Sequence, residues 1–141
     1  MKAISLMQPW ASLVAIGTKK IETRSWSTEY RGQLAIHSSK GFKKYLRQLC
    51  CEEPFKTVLN KAGLSLDNLP LGRVVATCKL VDCIEMTPEF IDRVKSAKGH
   101  EYDFGEYAVG RYAWILEDIK ALDNPVPAKG KLSIWKWEGK S

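Results

Sequence analysis

The chain has no long apolar run, few histidines and no cysteine pair at metal-binding spacing, and each shortage removes a class of function. No apolar stretch approaches the ~20 residues of a membrane-spanning helix. Met1-Lys2-Ala3 leads directly into a strand-like segment, so no signal peptide is expected. A cytoplasmic protein with no membrane partner is the expectation. The four cysteines stand at positions 50, 51, 78 and 83. Adjacent Cys50 and Cys51 do not readily bridge to each other, and Cys78-x4-Cys83 lacks both the C-x2-C spacing and the neighbouring histidine of a zinc site. Free thiols, mostly buried as small hydrophobes, are expected, with no metal and no cofactor.

With 141 residues, 45% hydrophobic and 27% charged, the chain has the size and composition of one globular domain over 1–141, long enough to bury a core. Its 22 Lys and Arg exceed its 16 Asp and Glu by six, a balance that favours polyanionic partners. The charge is also sided. Lys40, Lys43, Lys44 and Arg47 cluster after His37, whereas acids gather at Glu85, Glu89 and Asp92 and again from Glu101 to Glu106.

Periodicity gives the elements. Lys2 to Leu6 reads as a strand, and Pro9 opens a helix with Trp10, Leu13 and Val14 at helical spacing and Gly17 as its stop. Ile21 to Trp26 and Gln33 to Ser38 read as strands, Phe42 to Cys51 and Pro54 to Ala62 as helices, and Gly63 to Gly72 as a loop. Arg73 to Glu85 is the longest strand candidate, followed by a helix with Thr87 as N-cap and Pro88 in its first turn. Arg111 to Leu122 alternates as a strand, Asp123 to Lys129 is a proline-containing loop, and Gly130 to Glu138 is the last strand. About six strands with helices inserted between them predict an α+β domain whose sheet curls into a small β-barrel.

The most informative string is Gly17 to Arg24, G-x-K-x-x-E-x-R, at the handover from helix to strand. Strand alternation sends Glu22, Arg24 and Trp26 to one face and Ile21, Thr23 and Ser25 to the other. An acid, a base and a flat aromatic together suit a polar planar ligand such as a nucleobase with its phosphate. An exposed strand face with an ion pair and a half-buried tryptophan is the plainer reading.

The chain resembles the ASCH domain, a branch of the PUA-like superfamily. The resemblance rests on Ser5-Leu6-Met7-Gln8-Pro9-Trp10-Ala11-Ser12-Leu13, Gly17-x-Lys19-x-x-Glu22-x-Arg24-Ser25-Trp26, Arg31-Gly32-x-Leu34-x-Ile36-His37-x-x-Lys40 and Gly105-x-Tyr107-x-x-Gly110-Arg111-Tyr112-Ala113-Trp114. It implies a PUA-like barrel with a cleft lined by the G-x-K-x-x-E-x-R residues, in which RNA or another nucleic acid binds. A few small relatives are hydrolases: one type removes the acyl group of N4-acetylcytidine, and another is described as a ribonuclease. The deacylating relatives carry a threonine where this chain has Glu22, and a carboxylate can serve as base, acid or acceptor but not as a hydroxyl nucleophile.

The candidate ligand-binding set is therefore Lys19, Glu22, Arg24, Trp26, Trp10, His37 and Lys40. A hydrolase would add a second acid to Lys19 and Glu22, with Glu101 as the catalytic candidate and Asp103 or Glu106 as alternatives. Lys19 beside carboxylates favours its charged form and an anchoring role for phosphate or carbonyl oxygen. Trp10 either stacks on a base or covers one end of the barrel, and Trp135 and Trp137 read as barrel core or rim. Ser38 or Ser39 would cap the following helix and leave its amides for an anion. Neither histidine has a serine and an acid that the sequence can place beside it as a triad. Lys56 to Lys61 and Lys136 to Lys140 read as solvated. The expected partner is RNA or a nucleotide-like ligand, the alternative a nucleoside or RNA hydrolase in the same cleft. A protein-interaction module is a third option, for which the sequence offers no specific patch.

Overall fold

The computed structural model describes residues 1–139, so Lys140 of the solvated C-terminal stretch and Ser141 lie outside the described residues. Six strands and four helices follow in the order β1 (Lys2–Leu6), α1 (Trp10–Ala15), β2 (Ile21–Arg24), β3 (Gly32–Ser38), α2 (Lys44–Leu49), α3 (Phe55–Lys61), β4 (Arg73–Glu85), α4 (Pro88–Ser96), β5 (Tyr112–Pro127) and β6 (Ile134–Lys136). The strands form one curled half-barrel sheet, the α+β PUA-like architecture, with order β2-β5-β4-β3-β1-β6. Among the described residues only β1 and β3 pair in parallel, joined by the crossover that contains α1 and β2; the other pairs are antiparallel.

The curl has a visible cause. The long β4–β5 ladder shifts register at three places and β3–β4 shifts once, and each irregularity bends and twists the strands that carry it. Inside the curl, Ile4, Leu34, Ile36, Val75, Leu80, Trp114 and Leu116 are buried with Ala11 and Val14 of α1. A second cluster joins Leu13 to Phe55, Leu59, Leu69 and Phe104, which ties α1, α3 and the 98–110 segment together. Helices of six or seven residues would not persist alone, and burial of about 1.5–3 kcal/mol per large apolar side chain holds them. No helix among the described residues is long and apolar enough to cross a membrane.

The departures from expectation are local. β5 runs on to Pro127 through the stretch expected to be a loop. β2 pairs only with Tyr112 to Ile115, so beyond that point β5 has one free edge, where Pro125 and Pro127 interrupt no second ladder. The second helix starts at Lys44, not Phe42, and its N-cap is Lys43. Ser38 therefore caps nothing: its hydroxyl donates to the Arg73 carbonyl in β4, and the Ser39 amide donates to Leu6. The serine cap expected at that helix start is not formed. Thr87 does cap α4, accepting from the Phe90 amide at 3.1 Å with Pro88 behind it.

Candidate functional site

Gly17 ends α1 at φ +83°, a conformation that side chains with a Cβ rarely adopt, and turns the chain toward β2. The turn sends Lys19 inward rather than into solvent, leaving it 1% exposed. Its ammonium donates to the carbonyls of Ile21 and Phe104, each at 2.5 Å, and stands 3.5 Å from Glu22 Oε1. Glu22 Oε2 accepts from Arg24 Nε at 3.1 Å, and Arg24 Nη2 lies 3.0 Å from the same oxygen. Arg24 Nη2 also donates to the Ser5 carbonyl at 2.9 Å. Lys19, Glu22 and Arg24 thus form one chain of charges that reaches from edge strand β2 across the curl to β1. Burial pushes the Lys19 ammonium below its ordinary range, against the opposing pull of Glu22 and Glu101.

The three candidate acids are used differently. Both Glu101 oxygens accept backbone amides, from Lys20 at 3.1 and 2.9 Å and from Ile21 at 3.0 Å, so this carboxylate secures the start of β2. Asp103 pairs with His100, and Glu106 with Arg111, both at the surface. Trp10 packs edge-on against Phe55 and sits 5.8 Å from the Lys19 ammonium, a wall of the α1 core. Trp26 lies just past the end of β2, edge-on to Trp114 at 4.9 Å, with the Arg24 guanidinium 6.0 Å above its ring. Trp135 and Trp137 are buried in the core around Ala3 and Val74.

A large open cleft of about 1070 Å³ lies beside this chain of charges. Of the seven candidate binding residues, Arg24, His37 and Lys40 line it; Lys19, Glu22, Trp10 and Trp26 do not. Lys129 and Lys131 complete its cationic rim, Met7, Leu71, Pro127 and Leu132 give it aliphatic walls, and Ser39 and Ser133 contribute hydroxyls. No aspartate or glutamate is among the described residues that line it. Sequence reasoning misses the lysines at 129 and 131 and the wall at 71 and 132. Their signal, Lys-Gly-Lys-Leu in a loop before the last strand, becomes meaningful only once that loop is known to fold back over the end of β1, against Ser5.

His37 is buried in the wall of this cleft, 2% exposed. Its Nδ1 is 2.9 Å from Ser5 Oγ and its Nε2 2.8 Å from the Ala128 carbonyl. A serine does therefore reach His37, which the sequence could not place, but the third partner is a backbone carbonyl and not an acid. Trp135 Nε1 donates to the same Ser5 Oγ at 3.1 Å.

Comparison with known proteins agrees with this architecture. The chain is 27% identical over 139 residues to human Activating signal cointegrator 1 and 26% identical over 138 residues to its mouse counterpart. Both alignments cover 97% of this chain, which spans only 22% of the length of either relative. Among solved structures, ASCH from Zymomonas mobilis superimposes with a TM-score of 0.54 at 15% identity, covering 89% of this chain and 72% of that one. A mutant form of that same protein superimposes at 0.52 and 14% identity, covering 89% and 74% of the two chains. Residues 4–126 match the ASCH domain, and the chain belongs to the ASCH domain family.

Proposed function

We propose that this protein binds single-stranded RNA, or a nucleotide-like unit of it, in the cleft beside Arg24. Family membership points to a function of RNA-binding type. The observation that carries the finer reading is the sign of the cleft: Arg24, Lys40, Lys129 and Lys131 line it, with no carboxylate among the described lining residues. Phosphates supply most of the affinity in such a site, because each one neutralised releases condensed counterions. The aliphatic walls give an unstacked base an apolar surface, to which a base stacked within a duplex does not expose its face. In this reading the G-x-K-x-x-E-x-R string has divided roles. Lys19 and Glu22 hold the turn, and Arg24 alone presents the motif to the ligand.

The hydrolytic alternative draws less support from the same geometry. A general base and an electrophile would have to converge on one water or carbonyl, yet Lys19 is spent on two backbone carbonyls and Glu101 on two backbone amides. The test is direct binding of a fluorescent oligouridylate and of a duplex of the same length, to wild type and to Lys40→Ala. Preference for the single strand, weakened in Lys40→Ala, supports the proposal. Equal binding of both forms, or none, removes it.

A further inference from the structure

Both ring nitrogens of His37 are held in a hydrogen-bond chain whose two ends have fixed roles. An indole N–H only donates and a carbonyl oxygen only accepts. His37 must therefore carry a proton on Nε2 to reach the Ala128 carbonyl, and Nδ1 is taken by Ser5 Oγ, the oxygen to which Trp135 also donates. The imidazole is committed on both sides and buried, so it has no nitrogen left for a ligand. What it holds is the start of the segment that follows Pro127. Ala128 is tied twice, by His37 and by its own amide to the Gly72 carbonyl at 3.0 Å. From Lys129 to Ser133, by contrast, no hydrogen bond or ion pair is formed among the described residues.

Gly130 shows how closely this segment lies on its anchor. A Cβ placed there would stand 2.6 Å from His37 Cε1 and 2.7 Å from Ser5 Oγ, too close for any side chain. The segment then projects Lys129, Lys131 and Leu132 along the cleft, with Leu132 93% exposed. Two lysines without partners among the described residues and a solvated leucine, on a short loop held at Ala128 and again at Ile134 where β6 pairs with β1, suit a surface completed by ligand.

We propose that Lys129 to Leu132 is a ligand-gripping arm and that His37 is its positioning residue, acting through the Ala128 carbonyl. The lysines take phosphate oxygens and Leu132 supplies the apolar contact for a base. This rests on the RNA reading for the ligand, but not for the anchoring.

The two parts are tested separately. Without ligand, His37→Phe removes both hydrogen bonds at similar ring size, whereas His37→Gln keeps an amide donor for Ala128. Trypsin cleavage after Lys129 and Lys131, measured against cleavage elsewhere in the chain, should rise about tenfold or more in His37→Phe, as expected when a local opening becomes easier, and stay near the wild-type rate in His37→Gln. Gly130→Ala, which leaves the core side chains unchanged, should free the arm in the same way and keeps the test available if His37→Phe does not fold. With oligouridylate, His37→Phe should weaken binding about as much as Lys129→Ala/Lys131→Ala, and the combined variant should be no weaker than either. Unchanged cleavage in both His37→Phe and Gly130→Ala overturns the anchoring, and fully additive losses overturn the claim that His37 acts through the arm. If the wild type ignores oligouridylate while cleavage responds as stated, the anchoring stands and the RNA reading falls.

Discussion

The Lys19 ammonium and the Glu22 carboxylate face each other at 3.5 Å in surroundings that leave the lysine 1% exposed and the glutamate 13%. An ion pair this enclosed belongs to the fold before it belongs to any ligand. It joins the end of α1 to β2 and, through the Phe104 carbonyl, to the 98–110 segment.

Lys19→Met keeps the length of the side chain and removes its donors. The carbonyls of Ile21 and Phe104 then lose their partner, and each buried group left unsatisfied costs on the order of 1–3 kcal/mol. We expect a lower urea midpoint with an unchanged slope, and RNA affinity near wild type under conditions where the variant is folded. A variant as stable as wild type would show that the buried ammonium contributes nothing net.

Glu22→Ala separates binding from catalysis. The substitution releases Arg24 from its carboxylate and removes one negative charge beside the cleft. Affinity for a phosphate-rich strand should hold or rise, while stability falls. If Glu22 were a general base, hydrolysis of RNA or of an acylated cytidine would drop by about 10²–10⁴-fold with little change in binding. Turnover by the wild type that disappears in Glu22→Ala is the outcome against the binding account.

The thiols give a pH prediction with a definite sign. Burial pushes the Cys78 thiol up to about 12 and the Cys50 thiol to about 11, from an ordinary 9.0. A raised folded-state value means that the folded chain keeps a proton the unfolded chain has lost. The stability this contributes is complete below pH 9.0 and is lost as pH rises toward 12. For Cys78 the slope is at most about 1.4 kcal/mol per pH unit. Urea unfolding of Cys78→Ala across that window should show a shallower alkaline decline than wild type. At neutral pH, iodoacetamide should modify exposed Cys51 well before Cys50 or Cys78.

Much of the fold was legible because its signals are local. The bounds of β4 and the Thr87-Pro88 helix start follow from β-branched runs and capping chemistry, and Gly17 marks the end of α1 as its position requires. The length of β5 was not legible, because Pro125 and Pro127 forbid a central strand and nothing local reveals that β2 stops short of them. The site divided along the same line. Alternation put Glu22 and Arg24 on one face, where they pair, but could not show that Lys19 turns inward. Nor could it show that Glu101 would be taken by amides 80 residues away, or that Ser5 and Ala128 would claim His37 from both sides. Those are contacts between distant segments, set by the curl of the sheet.

A cleft that holds a phosphate backbone through its cationic rim releases counterions on binding, so its affinity falls with salt. The most direct test is the affinity of single-stranded oligouridylate measured by fluorescence anisotropy across a series of salt concentrations. Four rim cations predict a slope of log K against log salt of about −3 for a single strand, reduced in magnitude by about 0.7 in Lys40→Ala. Affinity indifferent to salt, or a slope that Lys40→Ala and Lys131→Ala leave unchanged, would mean that the rim cations do not hold phosphates.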